Sequence, residues 1–143
     1  MTLHDILQAK GTEIHSIGPD ATLDEVISEL VRYNIGSLIV CESAARGTDI
    51  RMIGIITERD VMRKQDACQS PLPQLRVADT MSDHLITAEP DDRIEHAMRL
   101  MTQHRIRHLP VLQQGQLCGV ISIGDIVKAH HDQLEMENHF MTS

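Results

Sequence analysis

The chain has 143 residues, with 13 Lys and Arg against 21 Asp and Glu, for a net charge of −8. A surface of that sign repels nucleic acid and anionic membrane, so neither is an expected partner without a local basic patch. With one Tyr, one Phe and no Trp, the chain also lacks the stacking platforms of single-strand readers, and its core must be aliphatic with Met as filler.

The opening stretch MTLHDILQAKG holds no long apolar run and no small-residue cleavage site. No signal peptide is expected there. No window nears the roughly 18 consecutive apolar residues of a membrane helix, and the cytoplasm is the expected compartment. Cys41, Cys68 and Cys118 are odd in number and far apart, which argues against a disulfide framework or a zinc–thiolate site.

From Ile14 onward the chain repeats itself. Residues 14–40 lie over 85–111 without a gap, with Pro19 on Pro90, Asp20 on Asp91, Ile35 on Ile106 and Val40 on Val111. The first copy then carries a longer loop, ESAARGTDIR. After it MIGIITERDVMRK falls over LCGVISIGDIVKA, setting Gly54 on Gly119, Thr57 on Ser122 and Asp60 on Asp125.

In chain order, Pro19-Asp20-Ala21-Thr22 predicts a turn and an N-cap. Leu23, Val26, Ile27, Leu30 and Val31 then keep the spacing of an amphipathic helix. The apolar run 37–40 predicts a buried strand, 52–57 a second strand with a glycine inside, and 58–66 a helix. Pro71 and Pro73 interrupt any helix in the linker, 66–79. The second copy restarts at Pro90-Asp91-Asp92, with Ile94, Ala97, Met98 and Met101 on a helix. Strands at 109–112 and 117–122 and a helix at 124–137 follow. The loops 42–51 and 113–116 suit hairpins. Each copy therefore reads β-α-β-β-α, an α+β fold. One copy is too small to cover both faces of its sheet, so two imply a pseudo-twofold pair packed sheet to sheet.

Chemistry concentrates in Gly54-x-x-Thr57-x-x-Asp60 and Gly119-x-x-Ser122-x-x-Asp125. Each runs from a strand through a hydroxyl to an acid entering a helix. One reading is a capping box, with the acid at the positive end of the helix dipole. The other adds a ligand. Free helix-terminal N–H groups and the hydroxyl meet a phosphate, the carboxylate accepts ribose hydroxyls as in dinucleotide sites, and the glycine lets the ligand approach the strand. Arg107-His108 precedes the second copy's strand and is either a solvated strand entrance or a phosphate clamp. Gly36-Ser37 stand at the matching positions, so the two sites should differ unless Arg59, Arg63 or Lys64 substitutes. His104 and His108 are four apart, but His108 falls at the helix-to-strand transition, so no metal pair is expected. The sequence has no GxSxG, HExxH, GxxxxGK[ST] or GxGxxG, so no enzyme is expected.

The two turns, IGSLIV and IRHLPVL, and above all GIITERD and GVISIGD resemble the CBS domain, the module named after cystathionine β-synthase. Tandem copies form a Bateman module. The likeness runs from about Asp5 to Lys128, and the chain looks like one of the small stand-alone bacterial CBS-pair proteins. The resemblance implies CBS copies at 8–66 and 80–131, a linker at 67–79 and a helical tail at 132–143.

It also implies regulation rather than catalysis, by an adenosine-containing ligand (AMP, ADP, ATP, or S-adenosylmethionine or NAD) in clefts between the copies of a homodimer. No metal and no resident cofactor are implied. In one site Asp125 would accept the ribose hydroxyls, Ser122 would face the phosphate, and Arg107 and His108 would donate to it. Thr12, Ile14 and Ile35 would form the opposite wall, and Ile121 would help to flank adenine. The second site would use Asp60 and Thr57 with Leu85, Thr87 and Ile106. The alternative is a ligand-free interaction dimer in which the acids are only caps.

Overall fold

The structure is a computed structural model that describes residues 1–11, 13–42 and 51–142. In chain order the elements are α1 (Leu3–Lys10), β1 (Ser16–Ile17), α2 (Leu23–Tyr33), β2 (Ser37–Glu42), β3 (Arg51–Thr57), α3 (Glu58–Cys68), α4 (Ile94–His104), β4 (His108–Gln113), β5 (Gln116–Ser122) and α5 (Ile123–Thr142). Short 3-10 turns occupy Leu72–Gln74 and Val77–Asp79. The chain forms two compact units, Ile14–Leu85 and Met1–Glu13 with Ile86–Ser143.

In the Ile14–Leu85 unit, α2 starts where the Glu25 carboxylate accepts the Thr22 N–H at 3.0 Å. It ends at Asn34, whose φ of 53° is left-handed, a conformation Asn tolerates better than most residues. Its Leu23, Val26 and Leu30 are buried with Leu38, Val40, Ile56, Val61 and Val77. The sheet runs β1-β2-β3, with β1 parallel to β2 and β3 antiparallel to it. Ser37 stands opposite Thr57, and a bulge follows Val40.

The other unit repeats these details. Its α4 ends at Arg105 with a left-handed φ of 55°. In its β4-β5 pair His108 stands opposite Ser122, and a bulge follows Val111. A single parallel bridge from Ala88 to Val111 replaces β1. The core gathers Ile94, Ala97, Met101, Leu109, Val111, Ile121 and Ile126 with Leu3, Ile6 and Leu7 of α1.

The segments flanking the first copy differ from the sequence reading in two ways. The opening stretch is a helix, α1, and it belongs with the second repeat copy rather than the first. Its sequence signal is Thr2-x-x-Asp5 followed by Leu3, Ile6, Leu7 and then Gly11. The Asp5 carboxylate accepts the Thr2 N–H at 3.0 Å, and the amides of Leu3 and His4 donate to Asp92 O and Pro90 O, each at 2.9 Å. Those bonds satisfy amides that a helix start leaves open.

The second difference concerns the stretch read as a linker, which is stitched to the first copy. Val77 is buried in the core, and the amides of Val77 and Ala78 donate to Ala21 O and Pro19 O, each at 2.9 Å. Pro19 and Pro90 are repeat equivalents. Each copy's proline turn is thus closed by a segment outside the repeat, because one copy leaves part of its apolar surface uncovered. Of the longer first-copy loop, residues 43–50 lie outside the described residues. Among the described residues no helix is long and apolar enough to cross a membrane.

Candidate functional site

The second-copy turn is built where β5 ends on Ser122 and α5 begins. The Ser122 N–H donates to Asp125 Oδ2 at 2.8 Å, and the Asp125 N–H donates back to Ser122 Oγ at 3.1 Å. This reciprocal pair is a capping box. The Ile123 N–H donates to Arg107 O at 2.8 Å, and His108 lies across the ladder from Ser122. Backbone pairing therefore gathers Arg107, His108, Ser122 and Asp125 at one end of the sheet. Arg107 is exposed and the other three are half-buried.

A fifth residue, absent from the sequence reading, joins them. Lys10 at the end of α1 places Nζ 2.6 Å from Asp125 Oδ2 and 2.7 Å from Val120 O. Burial pushes the Asp125 carboxyl up, but the hydrogen bond from Lys10, the Ser122 amide and the Lys10 charge outweigh it. The carboxyl is held below its ordinary value. The two partners are 115 positions apart, so only α1 itself, with a basic residue in its last turn, hints at the pair in the sequence.

The first-copy turn has the same capping box, and among the described residues no cation pairs with its acid. The Thr57 N–H donates to Asp60 Oδ2 at 2.9 Å, and the Asp60 N–H donates to Thr57 Oγ1 at 3.2 Å. The Glu58 N–H reaches Gly36 O at 3.3 Å, and Ser37 faces Thr57. Gly36 and Ser37 thus hold the places of Arg107 and His108. Among the described residues no ion pair reaches Asp60. Lys64, one of the offered substitutes, donates to Asp79 O at 3.2 Å.

The signature glycines have a different occupant from the one expected. A Cβ on Gly54 would fall 2.7 Å from Met81 Sδ and 2.9 Å from Ser82 O; one on Gly119 would fall 2.7 Å from Leu7 Cδ2. The missing side chain makes room for the protein's own closing segments, not for a ligand. Ser82 is locked to β3 by paired bonds, its N–H to Ile55 O at 2.9 Å and the Ile55 N–H to its own O at 3.0 Å.

Of the remaining expected residues, Ile121 is fully buried in its unit's core, so it supports the turn from within instead of offering a wall. Ile106 is half-buried against the same core, and Thr87 is half-buried in that unit. Ile14, Ile35 and Leu85 belong to the other unit, where Ile35 packs on the core. Thr12 lies outside the described residues. Two open surface hollows lie elsewhere, one at the end of α3 beside Met62 and Asp66, one beside Met98 and His130.

Two repeat copies, each closing on a strand–hydroxyl–acid turn, define a tandem-repeat α+β module in which the second copy's first strand is reduced to a single bridge. The CBS domain profile matches residues 5–67 and 77–132, and the chain belongs to that family. It is similar to the mitochondrial CBS domain-containing protein CBSX3 of Arabidopsis thaliana, at 32% identity over 98% of this chain and 71% of the relative. A CBS-domain containing protein of Agrobacterium tumefaciens superposes with a TM-score of 0.84 at 31% identity, covering 91% of this chain and 99% of that one. An inosine-5'-monophosphate dehydrogenase of Methanocaldococcus jannaschii is 30% identical over 81% of this chain but only 21% of its own length.

Proposed function

We propose that this CBS pair is a non-catalytic regulatory module that binds an adenosine-containing small molecule, of the AMP, ADP or ATP class or S-adenosylmethionine, at its strand-to-helix turns. The observation that carries this is the recurrence of one acid–hydroxyl turn in both copies, with Arg107 and His108 at the strand end beside one of them. A ribose diol suits the carboxylates of Asp125 and Asp60. A phosphate suits Arg107, His108 and the N-terminal amides of α5. Gly36 and Ser37 bring no charge to the first-copy turn, so phosphate should matter less there.

The regulatory part of the reading draws on the dehydrogenase of Methanocaldococcus jannaschii, in which the matching region is a minor part of an enzyme. A ligand would signal by binding two arrangements of the module unequally. We assign the acting form as a homodimer, because α2, α3 and α5 leave Val31, Met62, Val127 and Met136 more than half exposed. Such apolar helix faces suit a second copy. Sedimentation equilibrium should then give twice the chain mass.

Calorimetry with AMP, ADP, ATP and S-adenosylmethionine tests the ligand reading. Heat is expected with the wild-type chain, and one site should disappear in each of Asp60→Asn and Asp125→Asn. Absence of both heat and a thermal shift at millimolar ligand would overturn it, since any binder of the folded form stabilises by mass action. The second reading, a ligand-free interaction dimer, would then stand on the capping boxes alone.

A further inference from the structure

We propose that Lys10 is a latch on the Asp125 turn, so that the two turns are unequal and a ligand engages Asp125 fully only by displacing Lys10. The proposal rests on the functional reading above and adds to it which turn is open. A carboxylate oxygen has two lone pairs. Asp125 Oδ2 accepts both the Ser122 N–H at 2.8 Å and Lys10 Nζ at 2.6 Å. A diol held across both carboxylate oxygens needs one of those positions. Asp60 Oδ2 accepts the Thr57 N–H at 2.9 Å, and among the described residues no ion pair occupies its other position, while Lys64 on the same helix donates to Asp79 O.

The repeat shows how the difference arises. Leu7 stands against Gly119 as Met81 stands against Gly54, so Lys10 lies three residues past the position that Met81 fills. Ile55 and Val120 are equivalent. Ile55 O accepts a backbone amide, Ser82 N–H, at 2.9 Å. Val120 O accepts the Lys10 ammonium instead, at 2.7 Å. The first copy is therefore closed by backbone ladder bonds that leave its acid alone. The second is closed by a flexible side chain, 38% exposed, which binds the strand carbonyl and the acid together.

The test isolates the Asp125 turn in an Asp60→Asn background and measures adenosine and AMP by calorimetry, with Asp60→Asn/Asp125→Asn as the blank. Adding Lys10→Met, which keeps an apolar stem and removes the charge, should tighten adenosine binding by at least about tenfold, the scale of one charge-assisted hydrogen bond. Unchanged or weaker binding would overturn the latch while leaving the ligand reading intact. If no protein binds either probe, the wild type included, the ligand reading fails and the latch fails with it. Should the Lys10→Met protein not fold, the wild-type chain answers. Its Lys10 ammonium should give a slowly exchanging proton–nitrogen signal that is lost on saturation with AMP, and persistence of that signal would overturn the proposal.

Discussion

Leu7 and Gly119 are packed so closely that a Cβ on the glycine would stand 2.7 Å from Leu7 Cδ2. A Cβ on Gly54 would stand as close to Met81 Sδ, and would also fall 2.9 Å from Ser82 O. A terminal methyl or thioether can swing aside, whereas a carbonyl held in a ladder bond cannot. Gly54→Ala should therefore destabilise the chain by about 1–3 kcal/mol, as overpacking does, and Gly119→Ala by less. Urea unfolding of both variants checks the order, and an equal cost would show that the Ser82 backbone yields.

The Asp125–Lys10 pair sets a pH dependence. The folded carboxyl loses its proton more readily than the unfolded one, because the lysine and the Ser122 amide outweigh burial. The folded pKa is therefore the lower. The stabilisation is complete above the unfolded value, near ~3.9, and is lost as pH falls through the folded value. Asp125→Asn should flatten the stability curve below about pH 4. Urea midpoints measured across acidic to neutral pH would show this, and a curve that keeps its wild-type slope would contradict the assignment.

Each hydroxyl of the two turns accepts one helix-terminal amide, Asp60 N–H at 3.2 Å and Asp125 N–H at 3.1 Å. Thr57→Ala and Ser122→Ala should each cost about 1 kcal/mol. Thr57→Ser and Ser122→Thr, which keep the acceptor, should cost much less. Thermal melts of the four variants separate the cap from simple loss of volume.

Ile56 and Ile121 are repeat equivalents and both are fully buried. Truncating either to Ala should cost about 2–5 kcal/mol through lost burial and a residual cavity. If Ile121 lined a binding surface instead, Ile121→Ala would weaken ligand with little change in denaturation midpoint. Comparing the two variants by urea unfolding decides it.

What could be read along the chain is what short-range order encodes. The spacing of Leu23, Val26 and Leu30 predicts α2. The paired strand and hydroxyl–acid motifs predict two turns whose capping bonds span only three positions, as Thr57–Asp60 and Ser122–Asp125 do. The repeat exposes itself because the same local pattern is written twice. The N-terminal helix was not read, although Thr2, Asp5 and the apolar face Leu3–Ile6–Leu7 carry its signal, and eight residues are marginal as an isolated helix. Only burial against the second copy gives it a reason to form.

Partners far apart in the chain leave no periodic trace, and these the tertiary structure settled. Nothing in the sequence near Gly119 announces Leu7, and nothing near Asp125 announces Lys10, 115 positions away. The glycines looked like openings for a ligand and are instead seats for Leu7, Met81 and Ser82. The net charge of −8 implied that cations must be concentrated locally. Arg107 and His108 were visible as neighbours in sequence, whereas Lys10 arrives through the packing of a whole helix. Local pattern thus specified two near-identical turns, and long-range packing made them different, because hydrogen bonding and charge act through space and only the fold decides which groups come within reach.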